Sequence, residues 1–467
     1  MLIRLRKEDG SVVRLEVSEI ATVGELRDEI LRRGLSNNLD LVLSRDARGS
    51  DPTARLEDAS AMLSAYGLHH GDMVYIARED WVCGEMQQGG TWTGTAVEEA
   101  DAAALEAPPP RLVGGSQRGL FTEAEYAEAR AAYRNYVEAS RKQKQHELLE
   151  RRGLGGRRGM TVDFLEWLDA QRPVLKSQDD SPCSQCAMDL TACDAFQSYL
   201  ARVHDSQMRY GILYGTVAAD SGLVKVDTIF EPPQQGDRDV YLPAEGAAAA
   251  TAVADKLAEY LGLVRVGWIF SHHAERRDYV MSDRDVAMAA HLHLQTEQCG
   301  QRFATAAPFF VTIAVAIQSN GQRHFEAYQL SEQCLQMARA GLLIPMNDNG
   351  RMRTLDEVRV EAANTTVIET DFFLVVVPIV EYTSWLRTAF PVEHRDIEPQ
   401  TAEAVARTIA SGRGKFTERL ADFHLLLFLS RILDMDRDMP ALVNAVVERR
   451  ELEPTEQGYQ VLIESLH

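Results

Sequence analysis

The sequence predicts an α+β protein built from several domains. Three observations favour this class: strand and helix patterns mix within the first module, they mix again after a low-complexity stretch, and only helical patterns follow residue 390. A chain of 467 residues is long enough for two or three domains with separate cores. We therefore predict domains at residues 1–79 and 160–389, a linker at 80–159 and a helical domain at 390–467.

The first module begins with two short apolar segments that flank the turn Asp9-Gly10. Asp-Gly between such segments predicts a β-hairpin. Thr22 and Glu25 have the spacing of a capping box, which predicts a helix over Val23–Arg33. With two more short strands expected later, this is the order of a ubiquitin-like β-grasp domain, an order that other small α+β folds share.

Residues 80–159 differ in composition from the rest of the chain. Val97–Pro110 is acidic and rich in Ala and Pro, so it cannot bury a core, and Arg151–Gly159 is a basic, Gly-rich link. Between them, Thr122–Arg152 has many charged residues and helix formers, which predicts a solvated helix. We expect a flexible linker that contains one charged helix.

In the main body, strand patterns alternate with helical patterns. A hairpin is expected across Asn320-Gly321, and the apolar run Phe372–Val380 predicts one buried strand. After Phe390 the pattern is helical, with a single long helix predicted over Phe416–Leu433.

Composition limits the possible functions. The 49 Lys and Arg residues are outnumbered by 70 Asp and Glu residues, and a net charge of −21 disfavours nucleic acid as a partner. Apolar runs fall short of the roughly 20 residues that cross a bilayer, and the charged start does not resemble a signal peptide. Six scattered cysteines predict no disulfide framework. We therefore predict a cytoplasmic and nuclear protein without membrane insertion.

Two stretches of the body, Gly211–Gly215 (GILYG) and Gly267–Phe270 (GWIF), resemble strands of the MPN fold. This fold is the scaffold of the JAMM zinc isopeptidases, which remove ubiquitin. An active member has a Glu three residues before the first Gly, then His-x-His, and an Asp after ten more residues. Catalytic zinc needs three protein ligands and an open position for water, and the glutamate removes the proton of that water.

The chain departs from this pattern at the two most important positions. Met208 occupies the glutamate position and Phe270 that of the first histidine, whereas His272 and Asp283 match the remaining ligands. The Ser-x-x-Asp element of the family is displaced to Ser282 and Asp285. A thioether accepts no proton at neutral pH and a phenyl ring binds no zinc, so we predict no catalytic residue, no metal and no cofactor. We expect His272 and His273 to be solvated loop residues.

A second metal candidate is the pair Cys183-x-x-Cys186, which is half of a zinc ribbon. A structural zinc site needs four ligands, usually as two close pairs, and the second pair is missing. The pair therefore remains a weak metal candidate, and the alternative is two reduced thiols near the start of a helix.

Several longer stretches resemble the nuclear protein localization protein four family, over nearly the whole chain outside residues 80–159. They are, in order, Gly67–Ala77 (GLHHGDMVYIA), Ile229–Gly236 (IFEPPQQG), Leu261–Phe270 (LGLVRVGWIF), His324–Cys334 (HFEAYQLSEQC), Phe390–Asp396 (FPVEHRD), Asp422–Leu429 (DFHLLLFL) and Glu456–Leu466 (EQGYQVLIESL). Of the zinc domain that many members carry before the body, only Cys183 and Cys186 are present. In this respect the chain resembles the shorter, green-lineage branch of the family.

The resemblance implies a non-catalytic adaptor. Members pair with ubiquitin fusion degradation protein one and bind the N-domain of the AAA+ unfoldase valosin-containing protein. They present polyubiquitin chains for extraction and proteasomal degradation, including degradation at the endoplasmic reticulum surface. The ubiquitin-like module would dock on the unfoldase, and Arg45 and Arg48 in one of its loops are candidate contacts. Gln234 and Gln235 are candidate contacts of the body.

Two other functions remain open from the residues alone. One is a JAMM-type deubiquitinase that uses His272 with a rearranged ligand set, which Met208 and Phe270 disfavour. The other is a structural MPN subunit of a larger complex, which the N-terminal ubiquitin-like module disfavours.

Overall fold

The structure, a computed structural model, describes residues 2–6, 12–18, 21–33, 42–44, 56, 59–66, 68, 73–77, 120–151, 164–165, 174–360 and 363–466. These residues form two compact units, which we describe separately. Unit 1 takes its residues from 1–177, 278–287 and 336–373, and unit 2 from 178–277, 288–335 and 374–467.

The strands of the described residues are β1 (Leu2–Arg6), β2 (Val12–Glu16), β3 (Val42–Ser44), β4 (Met73–Ala77), β5 (Val174–Leu175), β6 (Gln185–Asp189), β7 (Tyr210–Ala218), β8 (Leu223–Phe230), β9 (Gln234–Gly236), β10 (Tyr241–Pro243), β11 (Val264–His273), β12 (Val311–Ile317), β13 (Arg323–Leu330), β14 (Leu343–Ile344), β15 (Arg351–Val360), β16 (Ala363–Glu369), β17 (Leu374–Val377) and β18 (Ile379–Tyr382). The helices are α1 (Val23–Arg32), α2 (Glu123–Arg151), α3 (Leu190–Arg202), α4 (Ala247–Tyr260), α5 (Asp283–Gln298), α6 (Gln301–Ala306), α7 (Glu332–Arg339), α8 (Ala402–Ser411), α9 (Phe416–Arg419), α10 (Phe423–Leu429), α11 (Met439–Val447) and α12 (Gln457–Glu464). This mixture of helices and sheets confirms the predicted α+β class.

The N-terminal part of unit 1 is a four-stranded sheet in the order β2-β1-β4-β3. Strands β1 and β2 pair antiparallel, as the hairpin prediction requires, although the turn Asp9-Gly10 itself lies outside the described residues. Strand β4 joins β1 in parallel. The predicted capping box is confirmed, because Glu25 N donates to Thr22 Oγ1 (3.3 Å) and Thr22 N donates to the Glu25 carboxylate (2.9 Å). Helix α1 and the sheet bury one cluster of aliphatic side chains.

A second part of unit 1 contains the hairpin β15–β16 with β14 and β5 beside it. The start of helix α2 packs here, because Tyr126 is buried and its hydroxyl donates to the carbonyl oxygen of Thr354 (3.1 Å). Glu123 pairs with Arg353 at 3.1 Å. The prediction of a solvated helix is therefore wrong for its first turn, since the aromatic residue in the charged pattern is a packing residue.

Unit 2 contains an eight-stranded sheet in the order β17-β13-β12-β11-β7-β8-β6-β18. The predicted hairpin across Asn320-Gly321 is present as β12 and β13. The run Phe372–Val380 is two strands and not one, since β17 ends at Val377 and β18 begins at Ile379. Pro378 cannot donate to a ladder, and the chain changes from one sheet edge to the other at this residue. Because a single residue joins the two edge strands, the sheet curls until its edges meet.

The glycines of GILYG and GWIF allow neighbouring strands to approach closely. A Cβ atom added to Gly215 would lie 1.8 Å from the carbonyl oxygen of Lys225, and one added to Gly267 would lie 2.2 Å from that of Val311. Both glycines lie at register shifts, between β7 and β8 and between β11 and β7. These positions therefore favour glycine for steric reasons.

The helices after residue 390 belong to unit 2. Helix α8 spans Ala402–Ser411, in agreement with the helical pattern expected after Phe390. The single helix predicted over Phe416–Leu433 is wrong, because it is divided into α9 and α10. Asp422 follows the first and caps the second by accepting the backbone N–H groups of His424 (3.0 Å) and Leu425 (3.1 Å). Helix α10 buries nearly all of its side chains, as expected for a core helix.

Candidate functional site

Phe270, at the position of the first zinc ligand, lies in the interior of unit 2. Its ring stacks on Trp268 with 4.9 Å between ring centroids, and Tyr241 lies 5.8 Å from it. All three side chains are fully buried, and we call them the aromatic cluster. Residues 268 and 270 share a strand face because side chains alternate along β11. The position of a metal ligand is thus filled by packed aromatic rings.

His272 continues the same face of β11, and its expected exposure is wrong. Its side chain is only 1% exposed, and its ring centroid lies 5.9 Å from that of Phe270. The parallel pairing of β11 with β12 extends through His272 and Ala316 to His273 and Ile317. The polar residues after the histidines suggested a loop, but pairing with a buried neighbour keeps both in the strand.

Met208, at the position of the general base, is also buried. Its backbone N–H donates to the carbonyl oxygen of Asp237 (2.8 Å), and the Ser271 hydroxyl lies 3.6 Å from its sulfur. The thioether is a weak acceptor and takes no proton at neutral pH. This position therefore provides packing and no base.

Asp283, which belongs to unit 1, has both carboxylate oxygens occupied. Oδ2 accepts the N–H groups of Met346 (2.7 Å) and Asn347 (3.1 Å), and Oδ1 accepts those of Asn349 (3.2 Å) and Arg284 (2.9 Å). Burial raises the pKa of the Asp283 carboxyl, although these donors oppose the shift. The carboxylate holds the 346–349 loop, so its lone pairs are directed to the backbone.

The displaced Ser-x-x-Asp element is a helix cap. Asp285 N donates to the Ser282 hydroxyl (3.1 Å), and Ser282 N donates to the Asp285 carboxylate (3.0 Å) at the start of α5. This reciprocal arrangement is a capping box with Asp in place of Glu. The element thus stabilises the helix start.

Cys183 and Cys186 are buried free thiols. Burial raises the pKa of Cys183 to about 11 and that of Cys186 well above its usual range. Zinc binds the thiolate, so these surroundings disfavour a metal. Among the described residues, no group of three or more His, Cys, Asp and Glu side chains has a geometry that could hold a metal ion.

The predicted partner contacts differ from one another in the structure. The Gln234 side chain accepts from Tyr210 N (2.9 Å) and donates to Tyr210 O (2.7 Å). It therefore pairs with the start of β7 as the backbone of a neighbouring strand would. Gln235 is exposed and stays a candidate contact. Arg45 and Arg48 lie outside the described residues, so their role stays a prediction.

Sequence reasoning missed a buried cluster of charges in the same unit. Glu231, at the end of β8, pairs with Arg209 and with Arg395, whose Nε lies 3.1 Å from the carboxylate. All three side chains are buried. Burial alone would raise the pKa of Glu231, but the two guanidinium groups hold it below its usual range. The carboxylate is therefore ionised and neutralised within the core.

A second ion pair adjoins the first. Glu393 accepts from Glu231 N (2.9 Å) through one carboxylate oxygen and lies 2.8 Å from His424 Nδ1 through the other. Burial alone would lower the pKa of His424, but the Glu393 carboxylate raises it above its usual range. We call the five residues the ion cluster: Arg209, Glu231, Glu393, Arg395 and His424.

An aromatic ring completes the surroundings of the two arginines. The guanidinium carbons of Arg209 and Arg395 lie 5.0 Å and 4.6 Å from the ring centroid of Tyr199, which is itself fully buried. Cations over an aromatic face are stabilised by its quadrupole, more so when they are desolvated. Helix α3 thereby contributes to the same cluster.

The ion cluster joins three separate chain segments. Arg209 and Glu231 belong to the body, Glu393 and Arg395 follow residue 390, and His424 lies in α10. Asp422 adds to this connection by accepting the N–H groups of Ala389 (2.7 Å) and Phe390 (2.9 Å). The residues of the ion cluster lie in stretches that the sequence analysis singled out, since IFEPPQQG, FPVEHRD and DFHLLLFL each contribute a charged member. The sequence did not indicate that these three stretches contact one another.

The geometry thus defines an α+β protein whose buried polar groups serve packing and connection. A profile described as the NPL4 family matches residues 209–367. NPL4-like protein of Oryza sativa subsp. japonica is 31% identical over 488 residues, which cover 100% of this chain and 99% of the relative. NPL4-like protein 2 of Arabidopsis thaliana is 29% identical, with coverage of 100% and 99%. The chain belongs to the NPL4 family.

A third relative shows how the members differ in length. The Nuclear protein localization protein 4 homolog of Dictyostelium discoideum is 31% identical over 299 residues, which cover 63% of this chain and 50% of that relative. The plant relatives align over nearly their whole length, as expected for the shorter type. In the part of the chain that the structure describes, helices lack the length and apolar character that crossing a membrane requires.

Proposed function

We propose that this chain is a non-catalytic adaptor. It binds polyubiquitinated substrates and, with ubiquitin fusion degradation protein one, delivers them to the unfoldase valosin-containing protein. The observation that carries this proposal is the burial of Met208 and Phe270 at the positions where a JAMM enzyme needs a base and a ligand. Neither side chain can activate water or bind zinc. In this proposal the body, whose strands resemble the MPN fold, therefore binds ubiquitin without cleaving it.

The ion cluster supports a receptor surface that extends over the body and the helices after residue 390. Buried pairs such as Glu231–Arg395 and Glu393–His424 connect these two regions within unit 2. A surface built on both has a fixed geometry before it binds, which lowers the entropic cost of association. The acidic chain also suits the basic patches of ubiquitin, which favours fast encounter.

The N-terminal sheet supports a docking role for the first module. Its order β2-β1-β4-β3, with β1 and β4 parallel and α1 packed on it, is the arrangement expected of a ubiquitin-like β-grasp domain. In this proposal, residues 1–79 bind the N-domain of the unfoldase and the rest of the chain binds ubiquitin. The adaptor acts in the cytoplasm and nucleus, and its partners recruit it to the endoplasmic reticulum surface.

A pull-down with two baits tests this division of labour. The full chain and a variant that lacks residues 1–79 are each exposed to the unfoldase N-domain and to polyubiquitin. We expect the deletion to abolish capture by the N-domain and to leave polyubiquitin capture unchanged. Capture by the N-domain that survives the deletion would contradict the docking assignment.

Titration with ubiquitin chains of defined length tests the receptor. We expect the full chain to bind polyubiquitin more tightly than monoubiquitin, because a chain engages several points at once. Equal affinity for the two would contradict an extended receptor surface. Point variants are preferable to a truncation at residue 389, which would leave Glu231 without Arg395 in the core.

A further inference from the structure

A cleft of about 420 Å³ lies between helix α2 and strand β15 in unit 1. Its lining residues are Arg130, Tyr133, Arg134, Val137, Glu138, Arg141, Leu355, Asp356 and Glu357. This volume is within the range of ligand-binding clefts. The adaptor function proposed above assigns nothing to this cleft or to helix α2.

Hydrogen bonds connect both walls of the cleft to neighbouring residues of unit 1. Helix α2 is anchored through Tyr126 to Thr354, as described above. The register of β15 with β16 shifts between Arg353 and Val358, so residues 355–357 lie in an irregular part of the hairpin. Leu355 is buried and donates its N–H to Leu342 O (3.0 Å), which fixes this wall.

The helical wall of the cleft is basic. Arg130, Arg134 and Arg141 are spaced at i, i+4 and i+11, which places them on one stripe of α2 over roughly 16 Å. Glu138 in this stripe is paired with Lys142 at 2.8 Å. The Nε of Arg130 is buried and has no hydrogen-bond partner among the described residues. A ligand carboxylate that reaches Arg130 Nε would therefore break no hydrogen bond of this atom.

The centre of the cleft is apolar and neutral. Tyr133 and Val137 from the helix face the same cleft as the buried Leu355. Burial, and next the charge of Asp356, raise the pKa of Tyr133 to about 12, so its phenol is uncharged. Asp356 Oδ1 accepts the N–H of Glu357 (2.8 Å) on the strand wall. Carboxylates on that wall would direct acidic ligand groups towards the helix.

We propose that this cleft binds a short acidic peptide segment of a protein partner. Acidic side chains of the peptide contact Arg130, Arg134 and Arg141, and one apolar side chain packs against Tyr133 and Leu355. Arginine forms paired hydrogen bonds with carboxylates, which gives such a peptide orientation as well as affinity. The arginines of the lining all lie on the helical wall, so carboxylates of the peptide are expected to contact this wall and to avoid Asp356 and Glu357 opposite.

Fluorescence anisotropy with the full chain tests the proposal. The probe is a fluorescein-labelled dodecapeptide of alternating Glu and Leu, and a Lys-Leu dodecapeptide is its charge-reversed counterpart. We expect saturable binding of the acidic probe alone. The double variant Arg134→Glu and Arg141→Glu should weaken it by at least about tenfold, because two charge-assisted contacts become repulsive. Arg238→Glu, an exposed site in unit 2, should change it less than about twofold.

Four outcomes would overturn the proposal. They are absence of saturable binding to the wild-type chain, unchanged binding by the double variant, equal binding of the Lys-Leu peptide, and equal binding of a single-stranded oligonucleotide. Competition by the unlabelled peptide Val97–Pro110 as strong as that by the probe would assign the cleft to this chain itself and not to a partner. A thermal melt of each variant checks that the double substitution leaves the chain folded.

Discussion

The aromatic cluster and the ion cluster are both buried in unit 2, yet their chemistry is opposite. The first consists of Tyr241, Trp268 and Phe270 and carries no charge. The second buries Glu231 between two arginines beside the pair Glu393–His424. Burying a charge costs several kcal/mol unless a partner compensates it, so the difference depends on the partners.

What distinguishes the clusters is the number of chain segments that they join. The aromatic cluster joins two segments, β10 through Tyr241 and β11 through Trp268 and Phe270, and it does so with uncharged rings. The ion cluster connects residues before 232 with residues after 392, because Glu231–Arg395 and Glu393–His424 each pair charges from different segments. In unit 2, therefore, the charges of the ion cluster connect separate segments. Phe270, at the position of a metal ligand, contributes only to packing.

The largest effect is expected from breaking the ion cluster. Arg395→Ala leaves the buried Glu231 carboxylate with one guanidinium partner, and we expect a loss of about 3–5 kcal/mol in the free energy of unfolding. Urea denaturation measures this loss. The exposed pair Arg351–Glu369 provides the matched control, and Arg351→Ala should cost less than about 1 kcal/mol.

Replacing the triad Arg209, Glu231 and Arg395, which is part of the ion cluster, sharpens the same comparison. Substituting Arg209 and Arg395 by Met together with Glu231→Leu removes all three charges at once, so no unpaired charge remains. We expect the triple variant to be more stable than Arg395→Ala alone. A triple variant that is less stable would mean that the triad contributes a large net attraction.

The next largest effect is expected in the aromatic cluster. Phe270→His restores the residue type of a zinc ligand but places a polar ring in an apolar stack, which should cost about 2–3 kcal/mol. Phe270→Leu is the control for packing alone, and about 1 kcal/mol is expected for it. Metal analysis of Phe270→His should find well under one zinc per chain. Stoichiometric zinc at wild-type stability would show that a ligand set survives.

A pH dependence distinguishes the clusters without changing their packing. The folded pKa of His424 is raised above its unfolded value of about 6.5, and that of Glu393 is lowered below about 4.3. The contribution of His424 is complete below about pH 6.5 and is lost as pH rises through its folded pKa. That of Glu393 is present above about pH 4.3 and is lost as pH falls through its folded pKa.

The stability advantage of the wild type over His424→Gln should therefore be greatest at about pH 5–6. A hydrogen bond to a charged group contributes about 1.5–3 kcal/mol, which sets the expected size of the difference there. Urea denaturation across the pH range measures it for both proteins. A difference that does not change with pH would contradict a protonated His424.

The smallest change in stability is expected from substituting the neighbouring residues Gln234 and Gln235, whose side chains have different roles. Gln234→Ala removes the hydrogen bonds to Tyr210 and should cost about 1 kcal/mol in stability. Gln235→Ala should leave stability within about 0.5 kcal/mol and weaken partner capture if Gln235 is a contact. Loss of stability in Gln235→Ala would remove it from the candidate contacts.

Local signals in the sequence predicted much of the fold. The capping box at Thr22 and the hairpin at Asn320-Gly321 depend on neighbouring residues, and both are confirmed. Pro378 and Asp422 also carried local signals, but the apolar runs around them concealed the breaks. At the site, residue types alone excluded a base at Met208 and a ligand at Phe270.

The burial of His272 and the ion cluster could not be predicted in the same way. His272 is buried because of its pairing with Ala316, which is distant in sequence. Glu231 and Arg395 are separated by 164 residues, and the sequence around each of them does not predict the contact. Long-range pairing of buried charges depends on how segments meet, which a single sequence does not encode locally.

Reconstituted substrate unfolding tests the central claim most directly. The assay contains the full chain, ubiquitin fusion degradation protein one, the unfoldase and a polyubiquitinated fluorescent substrate, with and without a zinc chelator. The adaptor account predicts that unfolding requires this chain, that the chelator has no effect on the chain's contribution, and that the ubiquitin chains stay intact. Chelator-sensitive cleavage of ubiquitin by the purified chain, or unfolding at full rate without it, would contradict the account.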